Sequence, residues 1–336
     1  MVLNFKKLRK LRTNPKLFFK DAIEKKVFWL SGVYNKYLPK KHKGFTQYAI
    51  ISAVYNVEKY LDDYFKSIIN QRLDFKKNIF MILVDDGSTD NSANIIKKYQ
   101  KKYPKNIVYI YKENGGQASA RNLGLKYMQE NNYKAPWVTF TDPDDFLDRN
   151  YFYEVDKFLS AHQDDDICMI STKTIFYNHQ KQTTYEHPMK DLKWHSNYII
   201  NNEDFLFQMP AAPTTLFLYR KIQRYNIRFK QGEHSRYGFE DVEFSLLYFL
   251  YNYSSSTLFL KSSIYFYRKN HGSNTTFKAL QHKEYYIGTQ SRVNQLYRFF
   301  FQKLKKNLAY YKNIVLYYSF FPIKDLINSP EKLSFM

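Results

Sequence analysis

Apolar and polar stretches alternate in blocks along the first half of the chain. Tyr48-Ala-Ile-Ile-Ser-Ala-Val54 is short and almost continuously apolar, the pattern of a strand buried on both faces. A helix is predicted over 57–70, and Ile79-Phe-Met-Ile-Leu-Val84 reads as a second buried strand. A helix over 91–102, a strand over 107–111, a helix over 118–128 and a fourth strand over 137–141 follow. Such alternation predicts an α/β fold with a doubly wound, mainly parallel sheet. Further on, strands are expected at 167–176, at 214–219 and from 265, and an amphipathic helix opens near Tyr237 and runs to about Leu250.

The two ends read differently. Asn14-Pro15 looks like a helix start, and Lys16–Leu30 carries a broad apolar arc rich in Phe, Trp and Leu, with Lys26 inside it. Residues 1–47 hold 13 Lys/Arg against 2 Asp/Glu, more than half of the net +21. A basic run beside such a helix suits an anionic membrane surface, and packing on the following domain suits the same pattern. Residues 276–336 interleave aromatic and basic positions and read as helices with aromatic faces. The expected organisation is a basic N-terminal helical arm over 1–46, a domain over 47–275 with halves meeting at 150/151, and a helical C-terminal tail over 276–336.

Composition narrows the classes. Hydrophobic residues make up 44% and aromatics 19%, enough to bury a core, so a disordered chain is excluded. The single cysteine, Cys168, excludes an internal disulfide and any cysteine-based zinc site, and it reads as a small buried hydrophobe. No apolar run reaches the roughly 18–20 residues that cross a bilayer, and basic residues interrupt the N-terminus where a signal peptide would be apolar. The expected location is cytoplasmic, peripheral at the inner face of the cell membrane. High positive charge raises a nucleic-acid reading. No zinc-finger spacing, RNP-type run or basic zipper accompanies it, so no nucleic-acid partner is expected. P-loop, G-x-G-x-x-G and H-E-x-x-H motifs are also absent from the sequence.

Polar clusters follow the second and fourth strands directly: Asp85-Asp86-Gly-Ser-Thr-Asp90 and Asp142-Pro-Asp-Asp145. Ligands of open α/β sheets bind beyond the carboxyl ends of the strands. Carboxylates gathered there repel one another, and a divalent cation relieves the repulsion; hard oxygen ligands favour magnesium or manganese.

Four segments, in order, carry a family resemblance: Ser52-Ala-Val-Tyr-Asn56, Val84-Asp-Asp-Gly-Ser-Thr-Asp90, Asn114-Gly-Gly-Gln-Ala-Ser-Ala-Arg-Asn122 and Asp142-Pro-Asp-Asp145. Residues 50–146 resemble the nucleotide-sugar-binding half of the family 2 glycosyltransferases of GT-A fold, an inverting family of bacterial capsule and lipopolysaccharide type. The resemblance implies a nucleotide-diphosphate donor, UDP-sugar first among them, and a glycan or lipid-linked acceptor. It also implies Mn2+ or Mg2+ as cofactor and leaves room for a partner transferase.

The resemblance also distributes roles. Ala53, Tyr55, Asn56, Asp85, Asp86, Gly116, Arg121, Asp142 and Asp144 would bind the donor. Asp86 would accept from the base, as an acceptor-only carboxylate suits a base edge offering N–H. Ser88 and Asp90 would cap the next helix, leaving Asp85 and Asp86 to the ligand. Asp144 would hold the metal, with Asp142 nearer the sugar or ribose and Asp145 behind. Arg121 would meet either the diphosphate or the acidic cluster. In Tyr237-Gly-Phe-Glu-Asp-Val-Glu-Phe244, Asp241 would be the catalytic base and Glu240 an acceptor-side neighbour, with Glu243 and Glu233 as competitors; a first helical turn of Glu-Asp also suits the helix dipole. Tyr265-Phe-Tyr-Arg-Lys-Asn-His-Gly-Ser273 resembles the loop that closes on the diphosphate, with Arg268, His271 or Ser273 as phosphate contacts, although Asn270 stands where the family often has Arg or His. Two other classes fit parts of the sequence: a non-catalytic scaffold of the same fold and a basic nucleic-acid-binding protein.

Overall fold

The computed structural model describes residues 41–186, 197–201, 212–231, 240–252 and 254–269. The helix expected over 16–30, the tail over 276–336, and Glu233, His271 and Ser273 lie outside the described residues. The chain divides into two compact units, 1–42 and 43–336, and every element below belongs to the second.

In order these are β1 (Tyr48–Val54), α1 (Glu58–Ile69), α2 (Phe75–Asn78), β2 (Ile79–Asp86), α3 (Ser92–Lys102), β3 (Ile107–Lys112), α4 (Gln117–Glu130) and β4 (Trp137–Thr139). Then come β5 (Phe146–Leu147), α5 (Tyr151–Ala161), β6 (Ile167–Asn178), β7 (Thr183–Glu186), β8 (Tyr198–Asn201), β9 (Thr215–Leu218), α6 (Tyr219–Arg224), α7 (Glu240–Tyr251) and β10 (Ser256–Lys269). The sheet runs β3-β2-β1-β4-β9-β6-β10-β5. Strands β1 to β4 are mutually parallel; β9 is antiparallel to both β4 and β6, and β10 is parallel to β6. Six strands therefore share one direction, the mainly parallel sheet that the alternation predicted.

Why the first strands look continuously apolar is visible in the two cores. Tyr48 and Ile50 of β1 and Met81 and Leu83 of β2 face α1 and α5. Ala49, Ile51, Ile82 and Val84, one residue out of phase, face α4 and α7. Successive side chains point to opposite faces of a strand, and here both faces are covered. Asp156 of α5 anchors the entry to β1: its carboxylate accepts from Phe45 N, Thr46 N and the Tyr48 hydroxyl at 2.8–3.1 Å.

Three departures matter for the site. Strand β4 ends at Thr139, two residues earlier than expected, because its antiparallel partner β9 pairs only with 137–139. Residues 140–145 leave the sheet there, and Thr141 is held by the Tyr64 hydroxyl at 2.6 Å. Helix α5 was not expected, since Tyr, Phe and Val dominate its apolar face and favour strands by themselves. Strand β10 begins at Ser256, nine residues before the predicted strand.

Candidate active site

The loops after β1 and β2 interlock. Asn56 takes a left-handed conformation (φ 52°), which asparagine tolerates better than most residues. Its Oδ1 accepts from Thr89 N at 2.8 Å, and its N–H donates to Ser88 Oγ at 3.1 Å. Asp90 accepts from Ser92 N and Glu58 N, both at 2.9 Å, so one carboxylate serves the starts of α3 and α1. Ser88 is thus not a helix cap; it fastens the two loops together. Asp85 is tied into the same loop. It is buried, with one oxygen accepting from Ser88 N (2.8 Å) and the other from the Tyr109 hydroxyl (2.8 Å), so it braces the loop.

Asp86 stands at the tip of β2, opposite Lys112 in the parallel register. Gly115 N donates to its Oδ1 at 3.0 Å and Gly116 N to its Oδ2 at 2.8 Å, while Lys112 Nζ pairs with Oδ1. Gly116 has φ 88°, a region that side-chain-bearing residues avoid, and this turns both amides toward Asp86. Ala53 is partly buried near the end of β1, and Tyr55 beside it is 51% exposed.

The acidic loop after β4 is gripped from behind. Asp145 is buried, accepting from the Tyr265 hydroxyl at 2.6 Å and from Arg268 N at 2.7 Å. Arg268 Nε donates to the Asp144 carbonyl at 2.7 Å, and Nη1 meets His179 Nδ1 at 2.9 Å. The guanidinium lies 5.2 Å from the ring centroids of Tyr60 and Phe146. Arg268 is therefore not a phosphate contact on a solvated loop: it is buried and fixes the main chain that presents Asp144. Asp142 and Asp144 remain partly exposed.

Arg121, on the first turns of α4, is the buried centre of this region, 2% exposed. Of the two partners expected for it, the acidic cluster is the one it meets in this structure. Nη2 donates to Asp142 Oδ1 at 2.8 Å and Nη1 to Glu240 Oε1 at 2.6 Å. Glu240 opens α7 and is 4% exposed, with Asp241 next to it and partly exposed. Glu243, two positions on, is turned about 200° round the helix axis from Asp241.

Electrostatics shows which charges converge. Burial raises the Asp142 and Asp145 carboxyls above the usual range, and the Asp144 charge adds to both. The Tyr267 hydroxyl is pushed up by burial and then by Asp145, Asp142, Asp144 and Asp241 together. Among the described residues no set of three or more His, Cys, Asp or Glu side chains is arranged to hold a metal ion alone. Asp142 and Asp144 offer hard oxygens in an excess of negative charge. That fits Mg2+ or Mn2+, which commonly keep one or two carboxylates and fill the remaining positions with water and substrate phosphate.

Burial, opposed by Arg121 and reinforced by the Asp241 charge, raises Glu240 from 4.5 to about 7. Between these two values the folded chain holds a proton that the unfolded chain has released. The associated stability is complete below 4.5 and is lost as pH rises to about 7. Melting temperature should fall with rising pH across this window, and Glu240→Gln should flatten that slope; an unaltered slope in the variant would refute the assignment.

Lys112, Tyr265, Tyr267 and His179 carry no role in the sequence reading. Their signal lies in cross-strand register, which one strand's pattern does not contain: Lys112 meets Asp86 only because β2 and β3 pair in this register.

Residues 49–223 match the family described as Glycosyl transferase family 2. The minor teichoic acid biosynthesis protein GgaB of Bacillus subtilis is 38% identical over 186 residues, 55% of this chain and 19% of GgaB. Glycosyltransferase GlyA of Streptococcus pneumoniae is 31% identical over 230 residues, 67% of this chain and 31% of GlyA. The chain thus spans a third or less of the length of these relatives. Among solved structures, a fragment of S. aureus TarS in complex with UDP-GlcNAc superposes with TM-score 0.58 at 21% identity, covering 75% of this chain and 66% of that one. The mannosyltransferase PcManGT from Pyrobaculum calidifontis, in complex with GDP-Man and Mn2+, superposes with TM-score 0.55 at 13% identity, covering 80% and 71%. The GT-A fold expected from the sequence is the fold these structures share with the chain.

Proposed function

The chain belongs to glycosyl transferase family 2, and from that premise we propose that it moves a sugar from a nucleotide-diphosphate donor to a hydroxyl of a growing cell-surface glycan. A UDP-sugar is the favoured donor, and transfer inverts the anomeric carbon. The observation that carries this reading is the Arg121 guanidinium, which holds Asp142 of the acidic loop at 2.8 Å and Glu240, the chain neighbour of Asp241, at 2.6 Å. One buried cation thus ties the loop after β4 to the start of α7.

Each residue then has a task. Asp144, with Asp142 beside it, would hold Mn2+ or Mg2+, which when bound would supply positive charge to offset that developing on the departing diphosphate. Asp86, fixed by the Gly115 and Gly116 amides, has acceptor capacity left for the N–H of the donor base. Asp241 takes the proton of the acceptor hydroxyl as that oxygen bonds to the anomeric carbon and the bond from carbon to diphosphate oxygen breaks. The basic arm of the sequence supports a reaction at the inner face of a membrane, on a lipid-linked or polymeric acceptor.

The test is a panel of UDP-, GDP-, dTDP- and CMP-sugars screened against the full chain by thermal shift with Mn2+, together with release of the nucleotide product. A saturating ligand at roughly 100 times its Kd stabilises by about 2.7 kcal/mol, a readily measured shift. A metal-dependent shift and UDP release are expected with a UDP-sugar. No shift and no release with any donor would sink the proposal and favour the non-catalytic scaffold.

A further inference from the structure

Arg121 touches both halves of the site at once. One guanidinium nitrogen holds Asp142 on the loop after β4, and the other holds Glu240 on the first turn of α7. The contact joins residues 119 positions apart, and both ends of the Glu240 pair are almost wholly buried. A second tie runs beside it. Asn122 accepts from Phe229 N (2.8 Å) and donates to Phe229 O (2.7 Å), and the Phe229 ring stacks on Phe244 of α7 at 4.1 Å. Glu240 and Phe244 stand four residues apart, on one face of α7. Two adjacent residues of α4 therefore govern the same face of α7, one directly and one through Phe229. Two ties along a helix fix its rotation about its own axis, and that rotation decides where Asp241 points.

We propose that Arg121 is a positioning residue that locks α7 to the acidic loop and so sets Asp241 in register with Asp142 and Asp144. This rests on the preceding reading of Asp241 as the base. Lysine would not substitute, because a single ammonium lacks the fork that reaches Asp142 and Glu240 together. Glu240 Oε2 and Arg121 Nε are buried without a hydrogen-bond partner among the described residues, so the pair is not arranged for maximum stability. Its geometry serves orientation.

The test uses the full chain with Mn2+ and the active nucleotide sugar. Arg121→Lys should lower kcat about 100-fold, the scale of an ångström-level misplacement, while donor KM moves less than about threefold. Glu240→Gln keeps an acceptor for Arg121 and should lose less than about tenfold; Glu240→Ala should match Arg121→Lys. A group that merely stabilised the fold would lower the melting temperature and leave kcat well below melting untouched. Amide exchange supplies a readout independent of turnover. In Arg121→Lys, residues 240–251 and 140–147 should lose protection together while 58–69 keep theirs. Wild-type kcat in Arg121→Lys, or unchanged exchange in either segment, would overturn the lock. A wild-type chain that turns over no donor would count against the functional reading alone, and exchange would still decide the lock.

Discussion

Asp144→Ala is expected to abolish turnover together with the metal-dependent part of donor binding. The loop itself should survive. Its main chain is held by Arg268 Nε on the Asp144 carbonyl and by Asp145 against Tyr265 and Arg268 N, none of which needs the Asp144 side chain. The side chain is partly exposed, so its loss leaves no large cavity, and removing one charge relieves the repulsion that raises Asp142 and Asp145. The melting temperature should hold or rise slightly. Stabilising charge on a leaving group by a single preorganised contact is worth about 10²–10³ in rate; loss of the metal takes away more. Calorimetric titration of UDP with and without Mn2+ checks the assignment: metal-enhanced binding retained in the variant would place the cation elsewhere.

The second large effect is expected at Asp241. Asparagine has nearly the same shape and accepts no proton, so Asp241→Asn should leave UDP-sugar binding within a few-fold of wild type and remove transfer. General base catalysis contributes about 10²–10⁴ in rate, and the loss should fall in that range. Glu240 would respond as well, since the Asp241 charge is one reason its carboxyl stays protonated to about 7. The two readouts must separate. Loss of donor binding would make Asp241 part of the donor site, and retained transfer would move the base to Glu243 or Glu233.

These two predictions rest on features of unequal visibility. The loop after β2 was legible because Gly87, Ser88 and Asp90 directly after an apolar strand mark a turn and a helix start. What each carboxylate does there was not. Asp85 and Asp86 are neighbours with identical side chains; strand alternation sends Asp85 into Ser88 N and Tyr109, and Asp86 toward Lys112 and the glycine amides. Arg268 misled for a related reason. A basic residue before a polar loop reads as exposed, but β10 carries it inward beside Tyr60 and Phe146, where it backs the acidic loop. Membrane contact by the arm stays a matter of sequence; no helix among the described residues is long and apolar enough to cross a bilayer.

By itself the sequence determined the alternating elements, the two-faced burial of β1 and β2, and the strand ends where carboxylates collect. All of these follow from local periodicity and from residues adjacent along the chain. Tertiary structure alone decided the partners: Arg121 between Asp142 and Glu240, Lys112 on Asp86, Tyr265 on Asp145. Such pairings depend on strand register and helix rotation, which are set by packing between segments 21 to 120 residues apart along the chain, and local periodicity carries no record of them.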